Sequence, residues 1–307
     1  MADKPSAEVR IDAELVRSLL AAQRPDLAGL PLRLAAAGWD NATWRLGDSL
    51  AVRLPRRAAS SALVLNEQRC LPRLAEVIDL PLPVPVHAGF PSDGFPWHWS
   101  VVPWFSGSPA AEVALGDRAP AATALADFVA QLHRPAPPDA PRNPYRGVGL
   151  AERSAAVLAR LDAPGFPRAS EARALWTSLI AAPLWSGPPV WIHGDLHPFN
   201  ILLTQADGGV RALRAVIDFG DITSGDPATD LATAWMTLGP SGRSDFVERV
   251  TARCGTDPET WRRARAWALL MATAMLAHSD DDPPFARLGR IVLDQVLDDP
   301  HSSVTVR

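Results

Sequence analysis

The stretch WIHGDLHPFNILL, residues 191–203, decides how this chain is read. Two apolar segments, one ending at Ile192 and one starting at Ile201, bracket a run in which His193, Asp195, His197 and Asn200 fall within eight positions. A polar run between two buried segments is a loop held at both ends, and such loops are where chemistry concentrates.

Two chemistries draw on this set. A metal hydrolase would use the GD followed one residue later by His, but a dinuclear site needs further clusters of the GDxxD and GNH kind, and neither string occurs. The other reading takes Asp195 as a catalytic base and Asn200, five residues on, as a metal ligand. Asp218 in IDFG, residues 217–220, is then the second ligand, giving a base and a magnesium clamp.

Bulk properties bound the answer. A chain of 307 residues that is 47% hydrophobic can bury a substantial core and is expected to divide into two domains. A net charge of -4 and a pI near 6.0 offer no electrostatic footprint for nucleic acid or an anionic membrane. The basic residues are arginines except for Lys4. Cys70 and Cys254 lack metal-type spacing and suit reduced thiols. The first thirty residues carry Asp3, Glu8, Asp12 and Glu14 and so lack the core of a signal peptide. The apolar run at 266–277 is shorter than the roughly twenty residues that cross a bilayer. The expectation is a soluble cytoplasmic protein, monomer or homodimer, with no nucleic-acid or membrane partner.

Residues 11–22 place Leu15, Leu19 and Leu20 on one helical face behind Asp12, a candidate cap. From 31 to 54, short segments separated by turns at Asp40–Asn41 and Gly47–Asp48 read as a strand meander. Residues 61–76 read as a helix that Pro72 should kink or restart. PVPVHAG and WHWSVVPW follow as short strands, so the first 103 residues form a small antiparallel sheet with one inserted helix. Beyond them the pattern turns helical: 120–133, much of 150–183, and 258–277 behind Asp257. The proline-rich segment 134–144 is an extended connector. Two strands, around 200–204 and 213–218, are joined by the turn ADGG.

HGDLHPFN, IDFG and GDPATDLA (225–232) together resemble, in order and spacing, the catalytic motifs of the aminoglycoside phosphotransferase family, relatives of the protein kinases with small-molecule substrates. Looser likeness runs through FVAQLH at 128–133, VVPWFSG at 101–107 and GWDNATWRLG at 38–47. The resemblance implies an α+β, bilobal, protein-kinase-like fold. Its parts would be a nucleotide-binding lobe over 1–103, a hinge at 104–109, and a helical lobe over 110–307 carrying the catalytic loop and substrate site. It implies Mg2+ and ATP or GTP as cofactors, with Asp195 as base and Asn200 and Asp218 as metal ligands.

These residue types suit phosphoryl transfer, in which catalysis is mostly positioning and electrostatic stabilisation. Magnesium prefers hard oxygen ligands and keeps several waters, so a carboxylate, an amide oxygen and the phosphates suffice. His193 is expected to shape the loop, while His197 is left open between a structural and a direct role and stays outside the catalytic set. Asp226 and Asp230 should hold the loop through backbone hydrogen bonds or caps.

The first lobe departs from the kinase pattern. Kinases place a lysine on the third strand, paired with a glutamate from the next helix. Here the strand is LAVRLP, so Arg53 stands in the lysine's place with Glu67 as its acid, while Arg56 and Arg57 are expected to be solvated. A guanidinium can still fork onto phosphate or carboxylate. No GxGxxG loop occurs, so the turn from Gly38 to Asn41 is the candidate cover for the phosphates. The backbone of Val102, Pro103 and Trp104 would dock the base, with Val52 lining the pocket.

For the acceptor, Asp280, Asp281 and Asp282 could attract a polycation, or form a solvated turn. Eleven tryptophans suggest stacking on sugars or a macrolide, but Trp191, Trp235 and Trp267 sit in apolar runs that read as core. The resulting expectation is an ATP- or GTP-dependent kinase for a small-molecule hydroxyl, with an antibiotic such as an aminoglycoside or macrolide as acceptor. A metabolic kinase for a sugar, choline or amino alcohol is the alternative. A nucleotide-binding module without transfer activity is the alternative from another class.

Overall fold

The computed structural model describes residues 6–204, 211–279 and 281–300, and they form two compact units. Lys4, Asp280 and the ADGG turn lie outside the described residues.

The first unit takes residues 6–106 together with Ala215–Ile222. Helix α1 (Ala13–Gln23) starts where expected, with Asp12 accepting the Leu15 N–H at 3.0 Å. Strands β1 (Leu32–Ala37), β2 (Asn41–Leu46) and β3 (Leu50–Pro55) form the meander. Helix α2 (Ala58–Leu74) and strands β4 (His87–Gly89) and β5 (Trp99–Pro103) complete an antiparallel sheet in the order β1-β2-β3-β5-β4. Val16, Leu19 and Leu20 of α1 meet Trp44, Leu46, Val52, Leu54, Trp99 and Val101 of the sheet in one core with Phe95. Gly89 shows how tightly it is filled: a Cβ there would lie 2.2 Å from the Trp99 ring.

Ala58–Leu74 form one helix across Pro72, so the chain does not restart there. Proline deprives the helix of one N–H bond, and here only the final turn follows it, while Cys70, Leu71 and Leu74 are buried around it.

The second unit comprises Gly107–Arg214 and the residues from Thr223 onward. After the two-residue strand β6 (Ser108–Pro109) come helices α3 (Ala122–Leu132), α4 (Leu150–Leu161) and α5 (Ala169–Leu179). Strands β7 (Val190–Ile192) and β8 (Ile201–Leu203) flank the polar loop. Strand β9 (Leu213–Val216) carries the chain into its excursion to the first unit, and β10 (Thr223–Gly225) brings it back. Strand β8 pairs with β6, and β7 with β10. The expected pair of strands is thus joined by β6, β7 and β10. Each is two or three residues long, and fully buried Val190–Ile192 shows no alternation to mark it.

The helices that follow are α6 (Ala228–Leu231), α7 (Thr233–Thr237), α8 (Pro240–Cys254), α9 (Pro258–His278) and α10 (Pro283–Leu297). Asp257 caps α9 by accepting the Thr260 N–H, and α9 is buried along most of its length. A helix that is apolar on so many sides is the centre of its unit. Trp191, Trp235 and Trp267 are core residues, as read. No described helix is long and apolar enough to cross a membrane, and neither Cys70 nor Cys254 is in a disulfide. An antiparallel sheet unit and a helical unit give the α+β class expected.

Candidate active site

The loop between β7 and β8 is built around a carboxylate that lies 36 and 37 residues beyond the backbone groups it binds. Asp230, fully buried on α6, accepts the His193 backbone N–H at 2.7 Å on one oxygen and the Gly194 N–H at 2.9 Å on the other. His133, at the end of FVAQLH, stands 3.3 Å from the same carboxylate. Gly194 turns the chain at φ +85°, a conformation that side-chain-bearing residues rarely adopt. Inside the loop, the Asp195 N–H donates to His193 Nδ1 and the Phe199 N–H to His197 Nδ1, both at 3.2 Å. Each histidine thereby shapes the backbone, as expected for His193. Asp226 accepts the Ala228 N–H and pairs with buried Arg263 at 2.7 Å, tying the segment after the loop to α9.

This scaffold presents Asp195, whose side chain is 24% exposed. With Nδ1 of His197 accepting a bond, its Nε2 carries the proton and faces Asp195 Oδ2 at 3.2 Å. The other oxygen, Oδ1, receives Arg146 at 3.1 Å. Burial alone would raise the pKa of Asp195. His197, Arg146 and His193 outweigh it and hold the carboxyl well below the usual range. Asn200, buried, donates its amide to the Asp195 backbone carbonyl at 3.0 Å, which fixes the amide plane. His197 also meets the edge of Phe285 on α10, and Phe285 stacks on Phe199 at 4.5 Å.

In the first unit, Arg53 is buried at 8% exposure. It donates to Glu67 of α2 and to Asp218, both at 2.6 Å. Burial works against its charge, and the two carboxylates more than compensate, so its pKa is raised further. Burial raises the Glu67 carboxyl, with Arg53 opposing. Asp218 has left-handed backbone angles, φ 64° and ψ 65°, which an aspartate tolerates better than most residues. Its side chain remains 48% exposed.

The Gly38–Asn41 turn is closed by the Gly38 N–H on the Asn41 carbonyl at 2.8 Å, and buried Asn41 Oδ1 has no hydrogen-bond partner among the described residues. Arg56 and Arg57, expected to be solvated, are part-exposed and also bonded to the turn. Arg56 donates to the Gly38 carbonyl and Arg57 to the Asp40 carboxylate, because each emerges from β3 beside the turn. Val52 is fully buried next to Arg53. Val102 and Pro103 lie across from Ala51 and Leu50, and the Trp104 N–H bonds Ser49. Strand β4 pairs with β5 only over Trp99–Val101, so Val102 and Pro103 extend past it.

Sequence reasoning missed Arg146 and Phe285. Arg146 follows the proline-rich connector, and nothing in RNPYRG distinguishes it from the other arginines. Asp282 caps α10 by accepting the Phe285 N–H, so this carboxylate has a structural job.

The sequence profile of the phosphotransferase enzyme family (APH) matches residues 31–267. No curated protein sequence matches the chain. Among solved structures, a GDP complex of wild-type aminoglycoside 2'-phosphotransferase-IIIa is 19% identical, with a TM-score of 0.67 over 94% of this chain and 99% of that one. The apoenzyme of macrolide 2'-phosphotransferase MphH from Brachybacterium faecium is 23% identical, with a TM-score of 0.59 over 92% of this chain and 98% of that one. A streptomycin–ATP–APH(2'')-IIa ternary complex is 18% identical, with a TM-score of 0.58 over 92% and 95%. At these identities the likeness carries the fold, while the profile match spans most of the chain. The protein therefore belongs to the phosphotransferase enzyme family and is a small-molecule kinase that transfers phosphate to a hydroxyl.

Proposed function

We propose that the chain moves the γ-phosphate of ATP or GTP to a hydroxyl of an antibiotic, an aminoglycoside or a macrolide, with Asp195 as the acceptor-facing base. The observation that carries this reading is the Asp195 carboxylate itself: partly open, and held on a loop that Asp230 fixes from behind. Because its pKa is held low, Asp195 stays ionised and accepts a hydrogen bond from the acceptor hydroxyl, orienting the oxygen instead of removing its proton beforehand. The acceptor class rests on the named ligands and activities of the structural neighbours, among them kanamycin, streptomycin and macrolides.

Each candidate ligand, taken by itself, is of a type that suits a magnesium nucleotide. Asn200 offers an amide oxygen and Asp218 a half-exposed carboxylate, both hard ligands. Among the described residues, no group of three or more His, Cys, Asp or Glu could hold a metal ion. When bound, the ion neutralises charge on the phosphates. Arg53 would hold the α and β phosphates, with Glu67 fixing its direction. The Gly38–Asn41 turn would cover them. Val52 and the backbone of Val102, Pro103 and Trp104 would take the base.

The test is incubation with Mg2+ and ATP or GTP against kanamycin, gentamicin, streptomycin, erythromycin, choline and simple sugars, following product mass. A phosphorylated antibiotic supports the reading, and a phosphorylated metabolite alone moves the enzyme to the metabolic class. Asp195→Ala should lower kcat by about 10²- to 10⁴-fold with nucleotide affinity retained. Undiminished transfer would remove Asp195 from the mechanism.

A further inference from the structure

We propose that Arg146 is a positioning residue that sets the direction of the Asp195 carboxylate. The inference rests on Asp195 being the base. A carboxylate on a short side chain rotates about its last bond, and an oriented base needs that rotation stopped. Here it is stopped from both ends: Arg146 donates to Oδ1 at 3.1 Å, His197 Nε2 faces Oδ2 at 3.2 Å, and the Asn200 amide nitrogen lies 3.4 Å from Oδ2. His197 and Asn200 belong to the loop and move with it. Arg146 comes from a distant segment, so it ties the carboxylate to a second part of the unit.

That segment is itself anchored. The Gly147 N–H donates to Thr229 on α6, one residue before Asp230. Gly147 packs so closely on β10 that a Cβ on Gly225 would lie 2.3 Å from the Gly147 carbonyl. Asn143 donates its N–H to Thr223, which returns a bond to the Pro141 carbonyl. The proline-rich connector is thus a strap across β10 that delivers a guanidinium to Asp195. Arginine suits the task, since its charge is permanent and its planar fork holds a carboxylate oxygen in a defined direction.

The expectation separates positioning from binding. Arg146→Ala should lower kcat by about 10- to 100-fold, since small misplacements of a catalytic group have that effect, with the KM for acceptor and nucleotide little changed. Arg146→Lys, which restores the charge without the fork, should recover part of the loss. In an Asp195→Asn background, adding Arg146→Ala should cost nothing more.

Transfer is measured to whichever panel member is turned over, or to water as phosphate release from Mg2+-ATP or Mg2+-GTP if none is. Thermal melts report folding, and Arg146→Gln replaces the alanine variant if that one does not fold. An unchanged kcat with a raised KM, or an equal loss in both backgrounds, would overturn the inference. If Asp195→Asn alone leaves turnover intact, it is the assignment of the base that fails, and the role of Arg146 falls with it.

Discussion

The Asp230 carboxylate accepts the backbone N–H of Gly194 at 2.9 Å, so the turn that presents Asp195 hangs on a side chain from helix α6. Its second oxygen takes the His193 N–H. Asp230→Asn turns one of these acceptors into a donor facing a donor. A buried polar group left unsatisfied costs about 1–3 kcal/mol, and that loss should show as a lower urea midpoint with an unchanged slope. Transfer should fall beyond what the unfolded fraction explains, because Asp195 follows the turn. Wild-type kcat in a folded Asp230→Asn protein would mean that the loop holds its shape without this anchor.

Arg53 supplies a second prediction, because one guanidinium serves both Glu67 and Asp218. Arg53→Ala strands Glu67 in the core without its cation, and breaking a buried pair in this way typically costs about 3–5 kcal/mol. Arg53→Lys is the sharper test. An ammonium keeps the charge but lacks the planar fork, so the variant should fold yet bind Mg2+-ATP and Mg2+-GTP more weakly by calorimetry. An unchanged dissociation constant would leave Arg53 with a structural task only.

The loop was readable because its chemistry is local. His193, Asp195, His197 and Asn200 lie within eight residues, and short backbone bonds between them set the turn. The caps Asp12 and Asp257 were readable for the same reason, each reaching only three residues ahead. What escaped depends on distance in sequence. Arg146 and Asp195 are 49 positions apart, and no pattern in either segment announces the other. Arg56 and Arg57 looked solvated because the partner turn at 38–41 becomes their neighbour only once β2 and β3 pair. Strands β7 and β10 were hidden by length, since three residues hold too little alternation to reveal a period.

His87 gives the sheet unit a pH dependence separate from catalysis. The ring lies edge-on to Trp99 at 5.3 Å; burial first, and the charge of Arg24 second, hold its pKa below the ordinary value, with Asp26 opposing. A depressed folded-state pKa means that the unfolded chain takes the proton more readily. Stability from neutral His87 is therefore complete above about pH 6.5, the ordinary histidine value, and declines as pH falls towards the lower folded-state pKa. His87→Gln should flatten that part of the curve in denaturant titrations at a series of pH values. An identical pH profile in the variant would show that the proton is bound equally in both states.

Asn200 is assigned two tasks that different substitutions can separate. Its amide nitrogen donates to the Asp195 carbonyl, and its oxygen is the proposed ligand for magnesium. Asn200→Ala removes both, so kcat should fall and the Mg2+ concentration for half-maximal rate should rise. Asn200→Asp keeps an oxygen, and a better one for a hard cation. It also loses the donor and brings a second negative charge to a position where the amide nitrogen now lies 3.4 Å from Asp195 Oδ2. The aspartate variant should therefore need no more Mg2+ than the wild type while losing kcat through the displaced base. Rates measured against Mg2+ concentration distinguish the two. A raised Mg2+ requirement in both variants would mean that the amide geometry, and not merely an oxygen at this position, is what the cation reads.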